Sequence, residues 1–332
     1  MDAPALITTP FTASSTADEV LRGIDLSGLR AVVTGASSGL GAETARVLAA
    51  AGAEVTLVVR DTVAGEAVAA RIEKSTVRVR PRVVRLDLAD AASVGRFADG
   101  WDGPLHLLIN NAGVVTGGLE RNRAGWELQF ATNHLGHFAL AVGLRRALAR
   151  GAAERDGARI VAVSSTAHMR AGIDFDDLHF ERRTYDPQLA YAQSKTANSL
   201  FAVEATRLWA ADGIVANAVN PGGVATGLQR NFTPEQKASL DAAEAAGVFT
   251  YKTVEQGAAT GVVAAVAPQF ARTGGHYLDD GQEAYTVPDD AELAQHPHGV
   301  KQWALDLATA ERLWSVSTDL LRPVLGASSL GL

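Results

Sequence analysis

Short apolar segments alternate with longer helical patterns from residue 30 onward, and this alternation restricts the fold more than any other feature of the sequence. Parallel strands must be joined by crossover helices, whereas antiparallel strands need only a tight turn. The alternation therefore predicts a doubly wound α/β fold, with one parallel sheet of about seven strands and helices on both faces. The predicted strands are residues 31–33, 55–59, 83–86, 105–109, 160–163, 214–219 and 276–278.

No low-complexity linker or internal repeat interrupts this series, so we expect one domain over residues 28–285. Residues 1–27 are predicted to form an irregular arm, and residues 286–332 an extension with an amphipathic helix. With 47% hydrophobic residues in a chain of 332, the sequence can bury a core of this size. Helices are predicted at residues 42–51, 63–73, 126–149, 187–211 and 254–266.

The net charge of -7 and the isoelectric point near 5.6 argue against a protein whose main task is to bind a nucleic-acid backbone. The chain contains no cysteine, which excludes disulfides, thiolate metal ligands and a cysteine nucleophile. No apolar run approaches the roughly 20 residues that span a bilayer, and the amino terminus does not resemble a secretory signal. We expect a soluble cytoplasmic protein of bacterial origin. Its expected partner is a small molecule, with no nucleic-acid or membrane partner, and homo-oligomerisation stays open.

A glycine-rich turn follows the first predicted strand and precedes a helix. Glycine lets the backbone turn tightly and approach a pyrophosphate, and the free N–H groups and positive dipole of a helix amino terminus favour the phosphate charge. The spacing Gly-x-x-x-Gly-x-Gly in this strand–turn–helix context therefore predicts a dinucleotide-binding loop. Its candidate contacts are Gly35, Ser37, Ser38, Gly39, Leu40 and Gly41.

The same turn also contains Gly-x-Ser-x-Gly, the nucleophile elbow of the α/β-hydrolases, with Ser37 as the candidate nucleophile. A hydrolase elbow normally follows several earlier strands and an upstream oxyanion loop, whereas this turn follows the first strand of the sheet. A serine hydrolase that uses Ser37 is therefore the less favoured alternative.

Tyr191 and Lys195 lie four residues apart in a predicted helix, so their phenol and ammonium groups share one helix face. Asp186 and Pro187 provide an N-cap acceptor and a first-turn proline, which places the pair in the first turns. A free phenol has a pKa of about 10, and a cation about 4 Å away would lower that pKa by up to about three units. The pair is a candidate proton-transfer device; the alternative is a surface lysine beside a half-buried tyrosine.

In their order along the chain, several motifs resemble those of the short-chain dehydrogenases/reductases, which have a Rossmann-type fold. The resemblance covers roughly residues 28–285. Residues 132–138, 164–168 and 255–259 are similar to the branch that holds the retinol dehydrogenases and the WW-domain-containing oxidoreductase. We expect no WW domain and no membrane anchor, so the resemblance implies the chemistry of that branch without implying a retinoid substrate. The motifs are Thr34 to Gly41, Asn110-Asn111-Ala112-Gly113, Asn133, Ser165, Tyr191 with Lys195, and Asn220-Pro221-Gly222.

The resemblance implies catalytic roles for four residues. Tyr191 would be the general acid/base, and Ser165 would hydrogen-bond the carbonyl or alcohol oxygen of the substrate. Lys195 would lower the pKa of Tyr191 and hold the nicotinamide ribose, while Asn133 would support a water molecule between Lys195 and bulk solvent. Two alternatives stay open: Ser164 in place of Ser165, and Asn133 as a kink or cap residue inside a helix.

The resemblance also implies further contacts with the dinucleotide at the carboxyl edge of the sheet. Asp87 would meet the adenine amino group, although a carboxylate there would serve equally well as a helix N-cap. Thr226 would contact the nicotinamide amide or a phosphate. The complete set beyond the glycine turn is Arg60, Asp87, Leu88, Asn111, Ala112, Gly113, Tyr191, Lys195, Pro221, Gly222, Val224 and Thr226.

The end of the second predicted strand indicates which dinucleotide is bound. NAD-selective relatives place an acid there, whereas this chain has Val59 followed by Arg60. A guanidinium pairs with a 2'-phosphate, so NADP(H) is favoured over NAD(H). A shift of one residue would bring Asp61 to this position and reverse the preference.

His134 and His137 have a spacing that could bind a metal from one helix face, but no cysteine or acidic third ligand accompanies them. A packed or hydrogen-bonded pair is favoured, and no metal is expected. His296 and His298 are predicted to lie in a loop.

Together these features predict an NADP(H)-dependent oxidoreductase that interconverts a ketone or aldehyde and an alcohol. Residues 223–252 mix apolar with polar side chains as a mobile helical lid would, so a mainly hydrophobic substrate is expected. A noncatalytic NADP(H)-binding sensor or scaffold is the alternative from another class, and the complete set of proton-relay residues argues against it. The apolar lid residues are Leu228, Phe232, Leu240, Val248, Phe249 and Tyr251.

Overall fold

The computed structural model describes residues 5–76, 80–227, 238, 241–242, 244–245 and 250–329. Its strands are β1 (Arg30–Thr34), β2 (Glu54–Val59), β3 (Arg82–Arg85), β4 (Leu107–Asn110), β5 (Ala158–Val163), β6 (Ile214–Asn220), β7 (Tyr277–Asp279) and β8 (Gln282–Glu283). They form one sheet in the order β3-β2-β1-β4-β5-β6-β7-β8, parallel except for β8, which pairs antiparallel with β7. The predicted doubly wound α/β fold is therefore confirmed, with a two-residue eighth strand added.

Helices cover both faces of this sheet. Successive side chains of a strand point to opposite faces of a sheet, so the residues of β1 contribute alternately to the buried layers on the two faces. Ala31 and Val33 belong to one buried cluster and Val32 to the other. The helices are α1 (Ala17–Val20), α2 (Gly39–Ala50), α3 (Thr62–Thr76), α4 (Ala91–Asp99), α5 (Leu128–Phe130), α6 (Gly136–Gly143), α7 (Arg145–Glu154), α8 (Pro187–Trp209), α9 (Val254–Val266) and α10 (Leu307–Ser329).

The central strand β1 pairs with β2 on one side and with β4 on the other. The strand order therefore reverses at β1, and the loops that leave β1 and β4 at their carboxyl ends diverge to opposite faces. Such a reversal opens a crevice at the carboxyl edge of the sheet, which is where open α/β sheets bind ligands.

One helix was predicted over residues 126–149, and the structure divides this segment. A π-helical turn at Ala131–Leu135 separates α5 from α6, and α6 ends before α7 begins. At the start of α6, Gly136 packs closely against Leu88, since a Cβ atom on Gly136 would lie 2.3 Å from the Leu88 carbonyl oxygen. Helix α4 was not predicted; it begins after Asp90, whose side chain accepts a hydrogen bond from the Ala92 N–H.

The arm was predicted to be irregular, but its described part contains α1. Thr16 and Glu19 form a capping box at the start of this helix, and Val20 and Leu21 are buried in the core. The backbone N–H of Ile7 donates to a carboxylate of β8 at 2.8 Å. Through these contacts the described part of the arm packs against the core and the sheet of the domain.

The extension adds two short strands and a long helix. The strands β9 (Thr286–Val287) and β10 (Val300–Lys301) pair in parallel, and α10 packs against α8 and α4. The ring of Trp314 is stacked on Phe201 with a centroid distance of 6.0 Å and meets Phe138 edge-on at 4.7 Å. Among the helices of the described residues, none is long and apolar enough to cross a membrane.

Candidate active site

The glycine turn between β1 and α2 has the geometry that a pyrophosphate needs. Gly35 and Gly39 have φ values of 67° and 53°, which favour glycine. A Cβ atom on Gly41 would lie 2.6 Å from the Gly35 carbonyl oxygen, so a side chain would fill the cradle. Ser38 is the N-cap residue of α2 and makes no side-chain capping bond, which leaves the first N–H groups of the helix to an anion. Ser37 and Leu40 belong to the same turn.

A hydrolase would need a general base beside its nucleophile. Among the described residues, none hydrogen-bonds to the Ser37 hydroxyl. The serine hydrolase alternative therefore gains no support from the geometry of this turn.

The end of β4 is braced against the end of β1. The hydroxyl of Thr34 accepts hydrogen bonds from the backbone N–H groups of Asn111 and Ala112 at 2.9 and 3.0 Å. The side-chain amide of Asn111 returns a bond to the Thr34 carbonyl oxygen at 2.8 Å. Gly113 follows, where an added Cβ atom would come within 3.7 Å of the Lys195 ammonium nitrogen. This brace holds the floor of the crevice, and the bridging role of the Thr34 hydroxyl was missed in the sequence.

Helix α8 presents the predicted tyrosine and lysine on one face. The Asp186 side chain caps the helix by accepting from the Gln188 N–H at 2.7 Å, as its position before a proline indicated. The ammonium nitrogen of Lys195 lies 5.5 Å from the centre of the Tyr191 ring and donates to the Val163 carbonyl oxygen at 2.9 Å. Lys195 is buried, and this burial lowers its pKa to about 8.

The two adjacent serines point to different partners. The Ser165 hydroxyl lies beside the Tyr191 phenol and acts to lower its pKa, whereas the buried Ser164 hydroxyl donates to the Lys195 carbonyl oxygen at 2.8 Å. Burial raises the pKa of Tyr191 to about 12, and the bond from Ser165 partly opposes this rise. The Lys195 ammonium group donates to the Val163 carbonyl oxygen in this structure, and a lowering of the Tyr191 pKa by Lys195 stays a prediction.

Asn133 lies in the π-helical turn and links two other parts of the site. Its amide nitrogen donates to the Ser194 hydroxyl at 3.0 Å and to the Val114 carbonyl oxygen at 3.1 Å. Its amide oxygen accepts from the Val114 N–H at 2.8 Å. The side chain therefore connects α8 with the segment after β4, and its support of a water molecule stays a prediction.

The two histidines of this helical segment form hydrogen bonds within the protein. His134 Nε2 lies 2.8 Å from the Ser317 hydroxyl in α10, and His137 Nε2 lies 2.8 Å from the Thr34 hydroxyl. His137 Nδ1 also meets the Asn133 carbonyl oxygen at 2.9 Å. Burial lowers their pKa values to about 3 and about 4, so both rings are neutral at physiological pH. The structure thus has the hydrogen-bonded arrangement that was favoured over a metal pair.

The end of β2 presents a guanidinium to solvent. Arg60 is exposed and forms no ion pair with any other described residue. Asp61 has a local role, since its carboxylate accepts from the Ala64 N–H at 3.1 Å at the start of α3. Val59 is 2% exposed and packs against Gly65. Arg60 is therefore the side chain at this strand end that can reach a bound group.

The predicted contact at the end of β3 also has a local partner. The Asp87 carboxylate accepts from the Ala89 N–H at 3.0 Å, a turn-stabilising bond, and the neighbouring Leu88 is buried. One carboxylate oxygen of Asp87 remains for another donor.

The turn after β6 lies beside the glycine turn. Pro221 precedes Gly222, whose φ of 80° requires a left-handed backbone. Val224 is buried and pairs with Lys252, and Thr226 would come within 3.6 Å of a Cβ atom on Gly39. Tyr251 is described, but most of the predicted lid lies outside the described residues, including Leu228, Phe232, Leu240, Val248 and Phe249.

His298 lies in a loop, as predicted, and contacts the carboxyl edge of the sheet. Its Nδ1 lies 2.8 Å from the Asp279 carboxylate and 3.4 Å from the Asp280 carboxylate. Lys252 pairs with Asp280, and Asn220 donates to Asp279 at 3.0 Å. The hydrogen bond that the His298 ring donates to Asp279 raises the pKa of His298. This ion-pair cluster connects the extension to the turn after β6.

Tyr185, which the sequence did not single out, precedes α8 and is held by three side chains. Its hydroxyl lies 2.9 Å from the Thr116 hydroxyl, donates to Glu127 at 3.0 Å and accepts from Gln129 at 2.9 Å. Burial raises the pKa of Tyr185 to about 12. This network ties the segment after β4 to the start of α8.

Comparison with known proteins places the chain in a family. Residues 30–237 match the short chain dehydrogenase family model. The chain is 49% identical over 306 residues to a "Probable oxidoreductase" of Streptomyces antibioticus, covering 90% of this chain and 99% of that one. It is 36% identical over 311 residues to retinol dehydrogenase 12 of Mus musculus, covering 90% and 88%. The RhlG/NADP active-site complex of Pseudomonas aeruginosa matches with a TM-score of 0.62 at 25% identity, covering 77% and 95%.

The chain therefore belongs to the short-chain dehydrogenase/reductase family and is an oxidoreductase. The resemblance to retinol dehydrogenases that the motifs indicated is confirmed.

Proposed function

We propose that this protein uses NADP(H) to interconvert a ketone or aldehyde and an alcohol on a mainly hydrophobic small molecule. The observation that carries the proposal is that the Ser165 hydroxyl lies beside the Tyr191 phenol, with the Lys195 ammonium group on the same helix face as Tyr191. Two hydroxyls that converge at the carboxyl edge of the sheet can bind one carbonyl oxygen and deliver a proton to it.

Each residue has a defined part in this chemistry. A bound nicotinamide would supply the hydride to the carbonyl carbon or accept it from the alcohol carbon. Tyr191 donates its proton to the substrate oxygen in reduction and takes it back in oxidation. Ser165 donates a hydrogen bond to the same oxygen and so stabilises the negative charge that develops there. Lys195, anchored on Val163, places a positive charge where a ribose hydroxyl pair and the Tyr191 phenolate would both be stabilised.

The preference for NADP(H) follows from the end of β2. Arg60 is exposed and unpaired among the described residues, while the neighbouring Asp61 is engaged as a helix cap. A planar guanidinium can form two parallel hydrogen bonds with a phosphate, and an acid at the same place would repel it. The NADP complex of a family member supports the same choice.

The proposed class of substrate, a mainly hydrophobic molecule, rests on the amino-acid composition of the predicted lid. Residues 223–252 carry the large apolar side chains of the predicted lid, and the long loops at this sheet edge are where the substrate has to enter. A small charged substrate would need convergent charges. In the loop before α8, Arg183 pairs with Asp174 and Asp177 instead of facing the crevice alone.

The test is a substrate panel followed by dinucleotide absorbance. Bulky apolar ketones, aldehydes and alcohols are compared with small polar ones, each with NADP(H) and with NAD(H), and Tyr191→Phe is the control for background turnover. We expect kcat/KM to be highest for the apolar carbonyls or alcohols with NADP(H). A clear preference for small charged substrates would refute the substrate class. If the protein bound the dinucleotide but turned over no substrate of the panel, the result would favour the alternative of a noncatalytic NADP(H)-binding sensor.

A further inference from the structure

A single turn of 3-10 helix, Thr166–Arg170, begins directly after Ser165 and determines how that residue presents its hydroxyl. The Ser165 hydroxyl accepts a hydrogen bond from the Ala167 N–H at 3.1 Å while it lies beside the Tyr191 phenol. The backbone carbonyl of Ser165 accepts from the N–H of His168, also at 3.1 Å. The position of the Ser165 hydroxyl relative to Tyr191 therefore depends on the conformation of this turn.

His168 closes the turn with its side chain as well as its backbone. The ring is completely buried, and its Nδ1 lies 2.7 Å from the Ser165 carbonyl oxygen. A carbonyl oxygen can only accept, so Nδ1 carries the proton and Nε2 is the acceptor. Its donor is the backbone N–H of Lys301, 3.3 Å away. Burial lowers the pKa of His168 to about 4, so one neutral tautomer satisfies both ring nitrogens.

The donor to Nε2 belongs to the extension and not to the sheet. Lys301 lies in β10, and two residues later the indole nitrogen of Trp303 donates to the His168 carbonyl oxygen at 3.2 Å. Helix α8 holds the same turn through the Thr196 hydroxyl, which donates to the Ala171 carbonyl oxygen at 2.6 Å. The turn that carries Ser165 is thus held between the catalytic helix and the extension.

The imidazole is also supported by a buried aromatic ring. Tyr277 in β7 is 2% exposed, and its ring centroid lies 4.7 Å from that of His168. This contact, with a hydrogen bond at each nitrogen, leaves the imidazole little freedom to rotate. The ring can therefore transmit the position of the extension to the Ser165 backbone.

We propose that His168 is a positioning residue for Ser165. Lys301 holds the imidazole and Trp303 holds the backbone carbonyl of His168. The imidazole in turn holds the Ser165 carbonyl, so that the hydroxyl of that residue stays beside the Tyr191 phenol. His168 acts through Ser165 and does not touch the substrate. The inference rests on the proposed function, because it requires Ser165 to act on the reacting oxygen. A misplacement of about 1 Å at a reacting group can lower a rate roughly 100-fold, so this restraint is large enough to matter.

The test uses three substitutions that separate the two ring hydrogen bonds. In His168→Asn the side-chain amide can still donate to the Ser165 carbonyl; in His168→Gln the amide oxygen instead reaches the Lys301 N–H; His168→Leu removes both bonds. We expect kcat to fall roughly 10- to 100-fold in the leucine variant, with the Kd for NADPH nearly unchanged. The asparagine variant should recover more activity than the glutamine variant. Equal losses in all three would overturn the role of the Ser165 bond.

A double-mutant cycle distinguishes positioning from general damage. In a Ser165→Ala background, His168→Leu should cause no further loss of kcat, because the group that it positions is already absent. Additive losses would overturn this inference and leave the proposed function intact. Near-normal turnover of Ser165→Ala by itself would instead contradict the proposed function.

A matched control comes from a second buried histidine. His106 is 1% exposed, and its Nδ1 accepts from the Arg30 N–H at 3.0 Å near the amino ends of β1 and β4. His106→Leu should lower the free energy of unfolding without changing kcat. If His168→Leu does not fold, Trp303→Phe replaces it. That variant keeps an aromatic ring, loses the donor to His168 and should lower kcat with unchanged NADPH affinity; unaltered kcat would then overturn the inference.

Discussion

The ammonium group of Lys195 is anchored to the Val163 carbonyl oxygen at the end of β5, 2.9 Å away, and not to the neighbouring phenol. Burial raises the pKa of Tyr191 to about 12, and Ser165 partly opposes this rise. At neutral pH the phenol is therefore protonated, which suits a group that donates a proton to a carbonyl oxygen.

Removal of the Tyr191 hydroxyl is the most direct test of the mechanism. We expect Tyr191→Phe to lower kcat by about 100- to 10,000-fold, which is the range for the loss of a general acid/base. The Kd for NADPH, measured by fluorescence titration, should change little because the hydroxyl acts mainly in the transition state. Near-normal turnover in this variant would exclude Tyr191 as the proton donor.

The activity should depend on the charge of Lys195. Burial lowers the pKa of this residue to about 8, so its ammonium form is present below that pH and is lost above it. Since kcat/KM for the dinucleotide reports on the ligand-free enzyme, we expect it to fall as the pH rises through about 8. Lys195→Arg, which stays charged, serves as the control and should lose this fall. A wild-type profile that is flat across this range would contradict the prediction.

Arg60 should determine the choice of dinucleotide. Hydrogen bonds to charged groups contribute about 1.5–3 kcal/mol, so Arg60→Ala should lower kcat/KM for NADPH roughly 10- to 150-fold and leave NADH nearly unaffected. Arg82→Ala, which removes an exposed arginine from β3, is the matched control and should change neither value. The assignment fails if the wild type already prefers NADH. Replacing Val59 with an acidic residue would be a poor second test of the dinucleotide preference, because the Val59 side chain is buried.

The cradle at the glycine turn should not tolerate a methyl group at Gly41. The added Cβ atom would lie 2.5 Å from the Asn111 amide nitrogen and 2.6 Å from the Gly35 carbonyl oxygen, so the backbone has to move. We expect Gly41→Ala to destabilise the protein by about 1–3 kcal/mol. NADPH affinity should also fall, which calorimetry and denaturant unfolding would measure. Gly118→Ala is the control, since nothing lies within 4 Å of its added Cβ atom; equal behaviour of the two variants would refute the prediction.

Stability should fall in mild acid because three histidines are buried as neutral rings. Burial lowers the pKa of His134 to about 3 and the pKa values of His137 and His168 to about 4. The unfolded chain takes up their protons near pH 6.5, so each histidine removes about 1.4 kcal/mol of stability per pH unit below that value until its folded pKa is reached. His298, with a raised pKa, acts in the opposite direction. Urea unfolding at about pH 7 and about pH 5.5 should show the loss; equal free energies of unfolding would contradict it.

The sequence by itself was sufficient for features that depend on near neighbours. The alternation of apolar runs predicted β1 to β7, and the Asp186-Pro187 cap predicted where α8 begins. The spacing of Gly35, Gly39 and Gly41 indicated the sharp turn in front of α2. These features come from periodicity, capping and backbone conformation, each of which involves residues only a few positions apart.

The tertiary structure alone decided which adjacent residue meets which partner. Ser164 and Ser165 are chemically alike, and only the position of α8 assigns one to the Lys195 carbonyl and the other to the Tyr191 phenol. The contact between His168 and Lys301 likewise joins residues 133 positions apart. Such contacts depend on the path of the whole chain and on the exclusion of water from the pairs that it brings together. Local sequence patterns contain no information on the path of the whole chain or on the exclusion of water. The alternation could therefore predict the sheet, but it could not predict which residues position Ser165.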